Sequence, residues 1–171
     1  MTRILNAVAQ PRRRGCRMIR LANENDIGGL LHLLKQVHAI HASIRPDIFK
    51  SGGIKYTRSD LLAILSDKSK PIFVFESDGK LTGYAFCIIE KTEETTSLLP
   101  ETHICIDDLC VDESVRGMSI GSQLYTHIRE YAKTISATGI RLSVWEGNDN
   151  AKAFYAKSGM KPLKTIMEEK L

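Results

Sequence analysis

Between Met18 and Met167 the apolar residues keep two spacings, and the changes between them outline the elements. Met18 to Leu21 is short, apolar and alternating, which fits a first strand. Ile27, Leu30, Leu31, Leu34, Val37 and Ile40 then recur at intervals of three and four. They predict a helix that starts behind the capping side chains of Asn23 to Asp26 and runs to about Ala42. Gly28 and Gly29 weaken its first turn by roughly 1 kcal/mol each relative to Ala. Arg45-Pro46 and Ser51-Gly52-Gly53 mark a loop. Thr57 or Ser59 can cap a second helix carrying Leu61, Leu62, Ile64 and Leu65, and this helix–loop–helix could wall a substrate cleft or simply cover the sheet.

Strand character returns at Pro71 to Glu76, turns at Ser77-Asp78-Gly79-Lys80, and comes back over Leu81 to Ile89, with Gly83 as a candidate bulge. Residues 91–102 are polar and read as an exposed loop. His103 to Val111 is the central strand. A helix follows Gly121, with Leu124, Ile128, Tyr131, Ala132 and Ile135 on one face, ending near Gly139. Ile140 to Trp145 is a fifth strand, expected parallel to the central one through the helical crossover. Asn148 to Ser158 is a short helix stopped by Gly159, and Leu163, Thr165 and Met167 alternate in a last strand.

Charge changes the picture only at one end. The 171 residues hold 24 basic and 20 acidic side chains, a formal +4. Five of the arginines (Arg3, Arg12, Arg13, Arg14, Arg17) lie in the first 17 residues with no acid among them; without them 19 basic residues face 20 acidic ones. Residues 1–17 therefore read as a flexible basic extension, and residues 18–171 as one near-neutral domain, which makes nucleic acid an unexpected partner. The basic start lacks an apolar region behind it, as a secretory signal would need, and lacks the serines of a transit peptide. No apolar run reaches the roughly 18 residues of a membrane span. Cys16, Cys87, Cys105 and Cys110 show no framework spacing, so small buried thiols in a reducing, cytoplasmic setting are expected. His32, His38 and His41 fall on or near the first helix without Cys or carboxylate companions, and no metal site is expected.

The joint between the central strand and its following helix carries the chemistry. Gly117 and Gly121 flank it, and a helix N-terminus with unpaired amides is a natural seat for phosphate. The spacing is neither that of a nucleotide P-loop nor that of the dinucleotide G-x-G-x-x-G. Arg116-Gly117-Met118-Ser119-Ile120-Gly121 is similar to the R/Q-x-x-G-x-G/A signature of the GNAT superfamily of acyl-CoA-dependent N-acyltransferases. The strand Ile106-Asp107-Asp108-Leu109-Cys110-Val111 before it resembles that family too, as does Asn148-Asp149-Asn150-Ala151-Lys152-Ala153-Phe154-Tyr155 ending in Lys157-Ser158-Gly159-Met160. The resemblance spans about residues 18–168. It implies an α/β (α+β) fold: a mixed, mostly antiparallel sheet of six to seven strands with about four helices and a splayed central strand pair.

The same resemblance implies acetyl-CoA as co-substrate. The amides of Gly117, Met118, Ser119, Ile120, Gly121 and Ser122 would hold the pyrophosphate, with Arg116 of the signature also binding the coenzyme; the Leu109 and Val111 backbone would line the pantetheine arm, and Asn148 would contact it or merely cap its helix. Ser119 stands where the signature has its first glycine. Serine tolerates positive φ less well, so the loop is expected to shift or to bind less tightly unless the hydroxyl donates to a phosphate.

Acetyl transfer needs a neutral amine, and an alkyl amine is only about 0.1% neutral at pH 7.4. Asp107 is the first candidate to take its proton and Asp108 the second; adjacent strand residues point to opposite faces, so one of the two is expected to face the cleft. An amide of Cys110 or Val111 could donate to the oxyanion. Tyr155 stands where the family keeps a tyrosine general acid for the departing thiolate. Cys105 and Cys110 lack an activator beyond His103, so direct transfer is expected over an acetyl-cysteine route. The acceptor would be a primary amine, on a small molecule such as a polyamine or amino acid or on a protein. A non-catalytic acyl-CoA sensor on the same fold is the alternative, and an exposed last strand could support a homodimer.

Overall fold

A computed structural model describes residues 17–170. Its frame is a mixed α/β sheet of five strands in the order β1-β2-β3-β4-β5: β1 Arg17–Leu21, β2 Ile72–Ser77, β3 Lys80–Thr92, β4 Glu101–Val111 and β5 Gly139–Leu142. The first four are antiparallel, and β5 joins β4 in parallel. Four helices cover it: α1 Ile27–Ile44, α2 Arg58–Ser66, α3 Ile120–Thr134 and α4 Asp149–Lys157.

The helical spacing of Leu30, Leu34 and Val37 does what it predicts. Together with Ile27, Leu33 and Leu61 they are buried against Val74, Tyr84 and Phe86 on one face of the sheet. Phe73, Phe75, Ala85, Ile104 and Ile106 meet Leu124 and Ile128 of α3 on the other. Thr57 is the cap of α2, in a reciprocal pair with Asp60. The extra residue between β2 and β3 is Thr82, next to Gly83, because Phe75 pairs with Gly83 and Glu76 with Leu81.

Asp26 anchors the entrance to α1. Its carboxylate accepts from both terminal nitrogens of Arg20, at 2.7 and 2.8 Å, and from the Asn23 amide; Arg20 also reaches Glu76 on β2. The Arg20 hydrogen bonds hold the Asp26 carboxyl below its ordinary range against the opposing effect of burial. Asp26→Asn is expected to cost about 2–3 kcal/mol in urea unfolding at pH 7. Because the folded pKa is depressed, this stability is present above the unfolded value, near 3.9, and is lost as pH falls through the lower folded value. The variant's deficit should therefore shrink in acid.

The sheet has five strands rather than six to seven, and the missing last strand is the sixth that the apolar spacing predicted. Residues 160–170 form no strand: Leu163, Ile166 and Met167 lie exposed, and the segment is tied to the α1–α2 loop by Glu168 on Arg45 and Lys170 on Asp47. Three alternating residues mark a tendency to pair and do not by themselves make a strand. The last-strand basis for a homodimer goes with it. β5 is also shorter than the run to Trp145, and the polar loop is shorter at both ends, because β3 continues to Thr92 and β4 begins at Glu101. The expected basic extension, residues 1–17, lies outside the described residues except for Arg17, which opens β1. No helix among the described residues is long and apolar enough to cross a membrane.

Candidate active site

β4 and β5 pair only from His103–Gly139 to Ile106–Leu142. β4 then continues to Val111, while the chain after Leu142 swings away to Trp145. The Trp145 ring packs edge-on against Phe49, with centroids 5.3 Å apart, and under the Arg45 guanidinium. The aromatic contact draws this segment toward the α1–α2 loop, so the two strands splay and leave one edge of β4 open from Asp107 onward.

At the mouth of that gap β4 contains a bulge. Phe86 pairs with Asp108 and Cys87 with Ile106, so Asp107 is the extra residue. Ile104 and Ile106 face α3, as do Leu109 and Val111, whereas Cys110 faces α1. Asp107 and Asp108 therefore share the α1 side, and the expectation that just one of them faces the cleft is corrected: a bulge suspends alternation for one residue. Lys55 Nζ lies 2.9 Å from Asp107 Oδ2 and 3.7 Å from Asp108 Oδ2. Tyr56 donates to Asp107 at 2.7 Å and Tyr84 to Asp108 at 3.2 Å. Burial pushes the Asp108 carboxyl up, with the Lys55 charge opposing it.

Tyr155 projects from α4 beside Phe154 and Tyr125, with ring centroids 4.9 and 6.3 Å away. Burial raises its phenol well above the ordinary range, and the Asp108 charge adds to the rise. Among the described residues its hydroxyl has no hydrogen-bond partner. The Asp108 charge thus helps to keep the Tyr155 phenol protonated.

On the α3 side of β4 lies a cavity of about 350 Å³ lined by Leu109, Val111, Arg116, Gly117, Ser119, Ile120, Gly121, Ser122 and Phe154. Most of the expected coenzyme residues therefore meet in one place. Gly117 has φ of 82°, and Ser119 takes the left-handed conformation, φ 59° and ψ 17°, as N-cap of α3. The first helical bond there runs from the Gln123 amide to the Ser119 carbonyl, so the amides of Ile120, Gly121 and Ser122 have no acceptor within the helix. At Gly121 an added Cβ would touch Phe154 and Val111 only at 3.5–3.6 Å, so a small side chain can be housed there.

Ser119 takes a left-handed conformation that glycine would tolerate at less cost, and no side-chain cap bond compensates it. Ser119→Gly is expected to raise stability by about 1 kcal/mol in urea unfolding. Ser119→Ala, which retains Cβ, should not show this gain.

Three expected residues fall elsewhere. Cys110 is buried toward α1, its Sγ 3.6 Å from the Leu33 carbonyl, with its thiol pushed up to about 12 by burial; just its main chain lies on the strand's open edge. The Met118 side chain is exposed. Asn148 caps α4, accepting from the Ala151 amide, and lines a larger groove of about 920 Å³ between α1 and the start of α4. Arg116 lines both cavities and so joins them.

Lys55, Tyr56, Tyr84 and Phe154 complete the site without having been singled out in the sequence. Tyr84 looks like any apolar strand residue, and Phe154 like packing. Lys55-Tyr56 directly precede the Thr57 cap, in a loop with no period to read. His38 and His41 pack on Phe49, and His38 also donates to the Lys50 carbonyl.

A family model described as the acetyltransferase (GNAT) family matches residues 34–160. An uncharacterized N-acetyltransferase of the pepI 3′ region in Lactobacillus delbrueckii subsp. lactis is 26% identical over 88 residues, 52% of this chain, and the chain spans half of that relative's length. The BH1408 protein from Bacillus halodurans, solved in a mutant form, superposes with a TM-score of 0.86 at 33% identity, covering 90% of this chain and 99% of that one. The aminoglycoside N-acetyltransferase AAC(6')-Iy, solved in complex with CoA, superposes with a TM-score of 0.69 at 14% identity, covering 95% and 99%.

Proposed function

The chain belongs to the GNAT acetyltransferase family, and from that premise we propose that it transfers acetyl from acetyl-CoA to a cationic primary amine by direct attack while both substrates are bound. What supports this is the open stretch of β4 itself: the amide cradle at the start of α3 lies on one side of it and the two carboxylates of the β4 bulge on the other, with the Tyr155 phenol held protonated in part by the Asp108 charge. The cradle has the shape and donors for a diphosphate, and the open edge of β4 beyond Ile106 offers main-chain groups to an amide-bearing arm. The coenzyme A complex of AAC(6')-Iy, a protein of the same fold, supports the same choice here.

Bound acetyl-CoA supplies an activated acyl group and leaves as a thiol. The protein's part is to hold and deprotonate the amine, to steady charge, and to protonate sulfur. Asp107 is partly exposed and presents its carboxylate at the cleft, where it holds the incoming ammonium. Asp108 is buried and has the raised carboxyl, which supports giving it the proton ahead of Asp107, the first candidate from sequence. Tyr155 keeps its proton to high pH and delivers it to sulfur. Burial raises the Cys105 and Cys110 thiols, which favours direct transfer over an acetyl-cysteine.

Thiol release should be followed over a panel of polyamines, amino acids and an aminoglycoside, beside calorimetric coenzyme binding. Turnover on a cationic primary amine is expected. Coenzyme binding without turnover on any amine would leave an acyl-CoA sensor in its place.

A further inference from the structure

Lys55 occupies the place an acceptor amine has to take. Its Nζ donates to the Asp107 carboxylate at 2.9 Å and to the Asp107 carbonyl at 3.3 Å, and stands 3.7 Å from Asp108 Oδ2. The ammonium also lies over the Tyr56 ring, 5.4 Å from its centroid. One cation thus touches both bulge carboxylates and the bulge main chain. A role limited to structure explains this placement poorly. The pair with Asp107 is partly exposed, where such pairs stabilise little, and Asp107 already accepts from Tyr56. A primary amine on a flexible four-carbon stem, fixed beside its own base, instead meets the proximity requirement for reaction.

We propose that the chain acetylates its own Lys55. This rests on the function proposed above, with Lys55 as an internal acceptor and acetyl-CoA as the donor. The Lys55 ammonium gives one proton to Asp108, which passes it to water. The nitrogen lone pair then forms the N–C bond, and the C–S bond breaks with its electrons on sulfur. Tyr155 protonates that sulfur, and the second proton leaving nitrogen restores the phenol. Acetyl-Lys55 carries no charge, so Asp107 is freed and the cleft becomes more negative by one. The modified chain should hold an external cationic amine with a lower KM.

The test incubates the full chain with acetyl-labelled acetyl-CoA and no added amine, read by intact mass and peptide mapping. One acetyl group on Lys55 is expected, at a first-order rate independent of chain concentration. Tyr155→Phe should slow it about 100-fold, and Lys55→Arg should abolish the mark while calorimetric coenzyme A binding persists. Label spread over surface lysines at a rate untouched by Tyr155→Phe would overturn the proposal as ordinary chemical acetylation. So would a rate that scales with chain concentration. Thiol release on the amine panel with Lys55 unmarked overturns self-acetylation alone; no release and no mark, with coenzyme bound, overturns the transferase function as well.

Discussion

Tyr155→Phe is expected to lower kcat about 100- to 1,000-fold while leaving the fold and coenzyme affinity intact. The phenol's work comes late, when the C–S bond breaks and negative charge gathers on sulfur. A phenol near 10 is matched to a thiol near 8.5, and here burial and the Asp108 charge raise it further, so it stays protonated through the working pH range. Its oxygen has no hydrogen-bond partner among the described residues, so removing it strands no group and should leave unfolding unchanged. The ring contacts with Phe154 and Tyr125 persist in phenylalanine. Steady-state kinetics and thermal unfolding check both halves. An acyl donor whose thiol is more acidic should shrink the deficit, since it needs less help to leave. Near-normal kcat with the natural donor would remove Tyr155 from the proton path.

Asp108→Asn should cost a further large factor, about 100-fold or more in kcat, with little change in the KM for amine. Asp107→Asn should do the opposite: raise that KM about tenfold and spare much of kcat. The split follows from geometry. Asp107 sits at the cleft surface, where it holds cations; Asp108 lies beneath it, bonded to Tyr84, with its carboxyl pushed upward by burial. The sign with pH is definite. A base works only when ionised, so the rate rises as pH climbs through the raised Asp108 value, and this acid limb should vanish in Asp108→Asn. A pH–rate profile of the two variants separates the roles. Equal loss of kcat in both, with the acid limb intact, would refute the division.

Much of this site was legible because it is written in short range. The cradle reads directly from Arg116-Gly117-Met118-Ser119-Ile120-Gly121, since helix-start amides need only local backbone to assemble. Tyr155 was found through its neighbours on α4. The partners of the carboxylates were not legible, because Lys55 and Tyr56 reach Asp107 across more than fifty residues and obey no period. The last strand misled for a related reason: alternation at Leu163, Thr165 and Met167 describes a willingness to pair, whereas the segment takes its ties from Arg45 and Asp47, more than a hundred residues away. Ser119 sits in the left-handed conformation that glycine would adopt more easily, so the strain expected of a serine in this loop is visible in its backbone.

The extra residue in β4 has a numerical signature. Side chains toward α3 sit at even positions, 104 and 106, and then at odd ones, 109 and 111. The switch of parity was present in the chain before any folding. It means that excising Asp107 would leave every other β4 side chain on its present side and straighten the ladder. The sheet could spare that residue; what would be lost is the doubled negative charge at the point where an amine arrives.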